Sequence, residues 1–96
     1  MDHVAFRALP ALPAKAEAPL AALWHAARGD WDKAHALVQD EESATAAWVH
    51  AHLHRVEGDE GNAGYWYRRA GKPHAKVSHD EEWKQLADAL LTEGGL

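Results

Sequence analysis

Apolar residues recur at helical spacing along most of this chain, in five separate runs. Between about Pro19 and Arg28, the residues Leu20, Leu23, Trp24 and Ala27 share one face. From about Trp31 to Gln39 the stripe is Trp31, Ala34, His35 and Val38, and from about Ala44 to Glu57 it is Ala46, Val49, Leu53 and Val56. A fourth run carries Ala63, Trp66, Tyr67 and Ala70, and a fifth, ending near Thr92, carries Trp83, Leu86, Ala87, Leu90 and Leu91. Apolar groups repeating at three and four residues mark helices with one buried face. The predicted fold class is all-α with about five helices.

The residues between the runs supply starts and stops. Pro19 suits a first turn, where its missing N–H would have no partner anyway. Gly29 and Gly58 suit the left-handed position that ends a helix, and Asp30 and Asp59 suit the N-caps that follow. Ser43, after the acidic Asp40, Glu41 and Glu42, fits a cap for the third helix, with negative charge at the positive end of its dipole. Gly71 and Pro73 stop the fourth helix. Ser78 and Glu81 form a capping box for the fifth, and Gly94-Gly95 ends it. Gly61 and Gly64 fall inside the fourth helix, where each costs about 1 kcal/mol relative to Ala. Close packing of a neighbouring element is the expected compensation.

Residues 1–14 contain Pro10 and Pro13 and show no helical period. They are expected to form an extended arm, with Val4, Phe6, Leu9 and Leu12 along an apolar groove of the body. Residues 15–96 are expected to form a single domain: one hairpin over about 19–39, a second over about 44–71, and a capping helix over about 79–92.

The two hairpins share a pattern. Gly58-Asp59 stands 29 residues after Gly29-Asp30, and at the same offset Val49 follows Leu20, Leu53 follows Trp24, His54 follows His25, Ala63 follows Ala34 and Tyr67 follows Val38. A repeated hairpin cannot bury its own apolar face and must stack on a neighbour. Gly58, Asp59, Ala63, Trp66, Tyr67 and Ala70 hold the spacing G-D-x-x-x-A-x-x-W-Y-x-x-A. In this the chain resembles the tetratricopeptide and Sel1-like helical-repeat families over about residues 16–73. The first copy keeps Gly29, Asp30 and Ala34 but has Val38 for the aromatic and Glu41 for the last Ala. Ala22 and Ala51 match the small residue of the family's first helix, and His25 and His54 its large one. The offset of 29 is shorter than the family's usual repeat of about 34. The resemblance implies a short stacked array, a concave groove lined by the first helix of a hairpin, and binding without catalysis.

Composition narrows the partners. The chain of 96 residues carries ten basic and fifteen acidic side chains, a net charge of -5 with neutral His. No basic stripe exists, which argues against nucleic acid. Eight His are present, and with their unperturbed pKa near 6.5 mild acid is expected to remove most of the negative charge. No Cys is present, so neither a disulfide nor a thiolate metal site can form. No run of about 18 apolar residues reaches the length of a membrane span. The opening residues M-D-H-V-A-F-R lack the basic and apolar regions of a secretory signal, and the cytoplasm is the expected compartment. A chain of this size supports one modest core, to which its five Trp contribute heavily.

Three groups of residues bear on function. Trp48, His52 and Arg55 lie at i, i+4 and i+7 on the third helix, roughly opposite its apolar stripe. An aromatic plate, a titratable His and a guanidinium suit an extended peptide or an acidic terminus. The competing expectation is that this row packs against the first or the fifth predicted helix. His50 and His54 share a helical face, and Glu57 lies three residues on, so His50, His54 and Glu57 could supply three N/O ligands to zinc, with a His from another helix as a further candidate. Against that, no H-E-x-x-H motif is present, and His54 stands at the repeat's packing position. Tyr65, Arg68 and Arg69 lie away from the Trp66 and Tyr67 stripe and suit an acidic partner or the chain's own acidic segments. Ser43 and Ser78 are expected as caps, and no nucleophile elbow or phosphate loop is present, so catalysis is not expected. The leading expectation is a protein- or peptide-binding module that takes no cofactor, with a second copy of the chain among its candidate partners. The alternative is a zinc-type metal protein, and a structural subunit of a larger complex remains a third reading.

Overall fold

The two Gly-Asp corners fold alike, and they set the frame. Gly29 and Gly58 take positive φ of 77° and 89°, and Asp30 and Asp59 follow with φ near -93° and -94°. The Asp30 carboxylate accepts from the Lys33 N–H, and Asp59 accepts from the Asn62 N–H. Each corner turns one helix into the next within a few residues, giving two helical hairpins.

The computed structural model describes residues 1–94 and 96. They form α1 (His3–Ala8), α2 (Ala18–Ala27), α3 (Trp31–Val38), α4 (Ala44–Val56), α5 (Glu60–Ala70) and α6 (His79–Thr92), with no strand among the described residues. The all-α expectation holds, with one helix more than the periodicity predicted. α2 pairs with α3 and α4 with α5, while α6 lies across α1, α2 and α4. Ser43 and Ser78 cap α4 and α6 through the N–H groups of Ala46 and Glu81. Gly94 follows α6 with positive φ, while Gly95, expected to share in that stop, lies outside the described residues.

The main core joins Leu20, Leu23, Val38, Val49, Leu53, Trp83, Leu86 and Leu90. A smaller cluster of Ala51, Ala63 and Tyr67 lies between α4 and α5, with Trp48 and Trp66 at its edge. Val56, expected on the buried stripe of α4, is exposed at the helix end.

Two further expectations need correction. The first 14 residues are not an extended arm throughout, because α1 forms within them. Asp2 caps it through the Ala5 N–H, Phe6 is fully buried and stacks on Trp83, and Arg7 lies 4.0 Å over the same indole. Six residues give too little periodicity to announce a helix, so docking on α6 decides it. Leu9 and Leu12 do pack on the core, whereas Val4 faces solvent. The second correction concerns Gly61 and Gly64. A Cβ on Gly61 would meet only the Asp59 carboxylate, at 3.8 Å, and one on Gly64 would meet only the side chains of Arg68 and His74. No neighbouring backbone requires either glycine.

Candidate functional site

Two polar clusters flank α4. On its helix, residues three and four apart share a side, so His50 and His54 emerge on one side and His52 and Arg55 on another.

Of the row Trp48, His52 and Arg55, the last two do not line an open groove, because Glu82 of α6 covers them. His52 is 2 % exposed, Arg55 9 % and Glu82 2 %. His52 Nδ1 donates to Glu82 Oε1 at 2.7 Å, Arg55 donates to the same oxygen at 3.1 Å, and the Tyr67 hydroxyl donates to Oε2. Arg55 also donates to the Val77 carbonyl. Glu82 lies in the first turn of α6, where the positive end of the helix favours a carboxylate. Burial pushes the Glu82 carboxyl up, but hydrogen bonds from His52 and Tyr67, the charge of His52 and the Arg55 guanidinium outweigh it, leaving it below its usual value. Burial and the adjacent Glu82 carboxylate drive the Tyr67 hydroxyl far above its usual range. The chain supplies its own anion to the row that was expected to bind an acidic partner. Trp48 remains half-buried under the Lys72 ammonium, 4.3 Å from the ring centre.

The second cluster lies where α3, α4 and α5 meet. His50 Nε2 and His35 Nε2 are 2.9 Å apart, and one donates to the other. Nitrogens of His35, His50 and His54 all lie within 4.8 Å of one another. Two indoles wall the group. Trp31 stacks on His35 at 4.7 Å, and Trp66 stacks on His50 at 3.9 Å, an alignment produced by the helical spacing of Trp31 with His35 and by the α4–α5 contact. The Trp31 indole N–H is engaged by the Leu53 carbonyl at 2.6 Å. His50 is 3 % exposed and His54 8 %, whereas His35 is half-buried and opens the cluster to solvent on its side.

Burial first, then the neighbouring His35 and His54, lowers His50 to a pKa of about 4. His35 is lowered by burial and by His54. Both imidazoles are therefore neutral near pH 7, the form that binds metals. Nδ1 of His50 is buried without a hydrogen-bond partner, which for a polar atom costs on the order of 1–3 kcal/mol.

The sequence-based ligand set was His50, His54 and Glu57. The structure groups His50 and His54 with His35 instead. Glu57 meets His54 from the other side, accepting from His54 Nδ1 at 2.6 Å. A second group, His54, Glu57 and Asp59, also has donor atoms within 4.8 Å, but both of its carboxylates are exposed. His35 was assigned to the packing stripe of its helix. The signal available in the sequence was its place on that stripe, four residues after Trp31, but periodicity cannot tell which helix the stripe will face.

On the outer side of α5, Tyr65, Arg68 and Arg69 are exposed. The Arg69 guanidinium lies 5.1 Å from the Trp66 ring centre and 5.9 Å from that of Tyr65. Among the described residues, no carboxylate forms an ion pair with Arg68 or Arg69. No described helix is long and apolar enough to cross a membrane. Comparison with protein-family models, with curated proteins and with solved structures yields no match to this chain.

Proposed function

We propose that this protein binds a divalent transition-metal ion of the zinc type through His35, His50 and His54. One observation carries the reading: three imidazoles from two helices converge with ligand nitrogens within 4.8 Å of one another. Around a tetrahedral ion with metal–nitrogen bonds of about 2.0–2.1 Å, ligand nitrogens stand about 3.3 Å apart, so small rotations of these rings suffice. Borderline nitrogen donors favour zinc, copper or nickel over the oxygen-seeking calcium and magnesium.

Titration of chelator-treated protein, purified without a histidine tag, tests this directly. One equivalent of zinc is expected to bind and to raise the thermal midpoint, by about 2.7 kcal/mol of stabilisation at a hundredfold excess over Kd. His35→Ala, at the half-buried corner, is expected to keep the fold and lose most of the affinity. Wild-type protein that takes up no zinc, copper or nickel sinks the reading.

The exposed α5 face supports a second reading, a binding module without catalysis. Tyr65, Arg68 and Arg69 together suit an acidic peptide or protein surface, including the acidic Asp40-Glu41-Glu42 segment of a second copy. The paired Gly-Asp corners favour kinship with tetratricopeptide and Sel1-like hairpins within this reading. An acidic peptide that binds wild type but not Arg68→Ala/Arg69→Ala supports it. Equal binding by both proteins counts against it.

A further inference from the structure

We infer that Glu57 stays outside the coordination shell and fixes His54 for metal binding, so that the chain supplies three nitrogens and leaves a fourth position for a small donor ligand from solvent. The inference rests on the three-histidine reading and decides what kind of site it is.

The geometry separates the two nitrogens of His54. Glu57 Oε1 holds Nδ1 at 2.6 Å across one helical turn, so Nδ1 carries the proton and Nε2 keeps its lone pair. The two ring nitrogens of an imidazole point in different directions. A carboxylate engaged at Nδ1 cannot ligate an ion at Nε2 of the same ring without breaking that bond. His35 and His50 already face each other through Nε2. Once the proton held between His35 and His50 moves to Nδ1 of its own ring, all three imidazoles can present Nε2 to one point.

Of the three, His54 is the one whose outer nitrogen is held by a carboxylate, since Nδ1 of His50 has no partner. An outer carboxylate fixes the tautomer and ring orientation and raises the basicity of the ligating nitrogen. Among the described residues, the metal-capable group around His35 and His50 contains no further donor beyond His54. Three protein ligands with a position left for solvent describe an ion that can take an exogenous donor, unlike the closed four-ligand shell of a purely structural site. The half-buried His35 marks the side from which that donor enters. Small anions and neutral nitrogen donors, such as azide and imidazole, are the chemical class that fits.

Cobalt(II) substitution, with azide as the probe, tests this in wild type, Glu57→Ala and Glu57→Gln. The wild-type visible spectrum is expected to change saturably with azide. Glu57→Ala is expected to keep one cobalt and the same azide response while its affinity falls about 10–100-fold, with Glu57→Gln recovering part of the loss by accepting from Nδ1. In metal-free protein, nitrogen-15 spectra are expected to show His54 as the Nδ1–H tautomer in wild type and a mixture in Glu57→Ala. A Glu57→Ala spectrum that signals a lost ligand, or a cobalt centre indifferent to azide, overturns the inference while leaving metal binding intact. Unchanged affinity and tautomer in Glu57→Ala overturn it as well. Wild type that binds no metal removes the underlying reading, and the tautomer measurement then still reports whether Glu57 positions His54.

Discussion

His50 and His52 leave the same helix two residues apart and enter opposite kinds of environment. His52 donates to a buried carboxylate that is also held by Arg55 and Tyr67. His50 meets two other imidazoles and an indole and keeps one nitrogen without a partner. The first cluster contains the charges that satisfy it. The second is built from imidazoles, with one carboxylate, Glu57, at its outer edge. A closed, charge-matched cluster holds a helix in place, whereas an incomplete cluster of lone pairs is suited to a ligand from outside.

The largest expected effect breaks the closed cluster. Glu82→Ala leaves His52, Arg55 and Tyr67 buried without their acceptor, and a loss of about 3–5 kcal/mol in urea unfolding is expected. Such a loss is a large share of the stability of a domain this size. A change below about 1 kcal/mol would mean that contacts outside this cluster hold α6, such as the Trp83 indole on the Leu23 carbonyl and the α6 apolar stripe.

Acid should separate the clusters by pH window. His50 has its folded pKa lowered to about 4 from 6.5, so the unfolded chain binds more protons between these values. Its contribution is complete above about pH 6.5 and is lost as pH falls toward 4, on the order of 3 kcal/mol in metal-free protein. Glu82 is also lowered, from 4.5, so its contribution is complete above that value and is lost only at lower pH. Urea midpoints measured across this range should fall first through the imidazole window. His50→Phe should shrink that first fall to the part carried by His35 and His25, whose pKa values burial also lowers, and leave the second.

Smaller effects test the surface and the corner. Arg68→Ala/Arg69→Ala is expected to shift stability by no more than about 0.5 kcal/mol, since neither side chain is buried. Thermal melts check this before any binding loss is assigned to the α5 face. Gly61→Ala should stabilise by roughly 0.5–1 kcal/mol, because a Cβ there meets no backbone. A loss instead would reveal a close approach that the packing does not display.

Local features were legible because they are local. The Gly-Asp corners, Ser43, Ser78 and the stripes of five helices depend on neighbours within a turn or two, and each was readable along the chain. α1 escaped notice, since its six residues are held by Trp83 and Asp88, far along the sequence. Part of the candidate site was legible in the same sense. His50 and His54 had to share a face, and Glu57 had to reach His54, because all three lie on one helical repeat.

Tertiary structure decided the rest. Whether the Trp48, His52 and Arg55 row stayed open depended on where α6 would lie and on Glu82 reaching it from 30 residues beyond His52. Whether His50 and His54 found a third imidazole depended on α3 turning His35 toward α4. Helical periodicity fixes which residues share a face, but it carries no information about which distant face that one will meet. Periodicity along the chain sets the all-α hairpins and the pair of imidazoles, while packing between helices makes one His of α4 an anchor and joins the two others to His35 in a three-imidazole cluster.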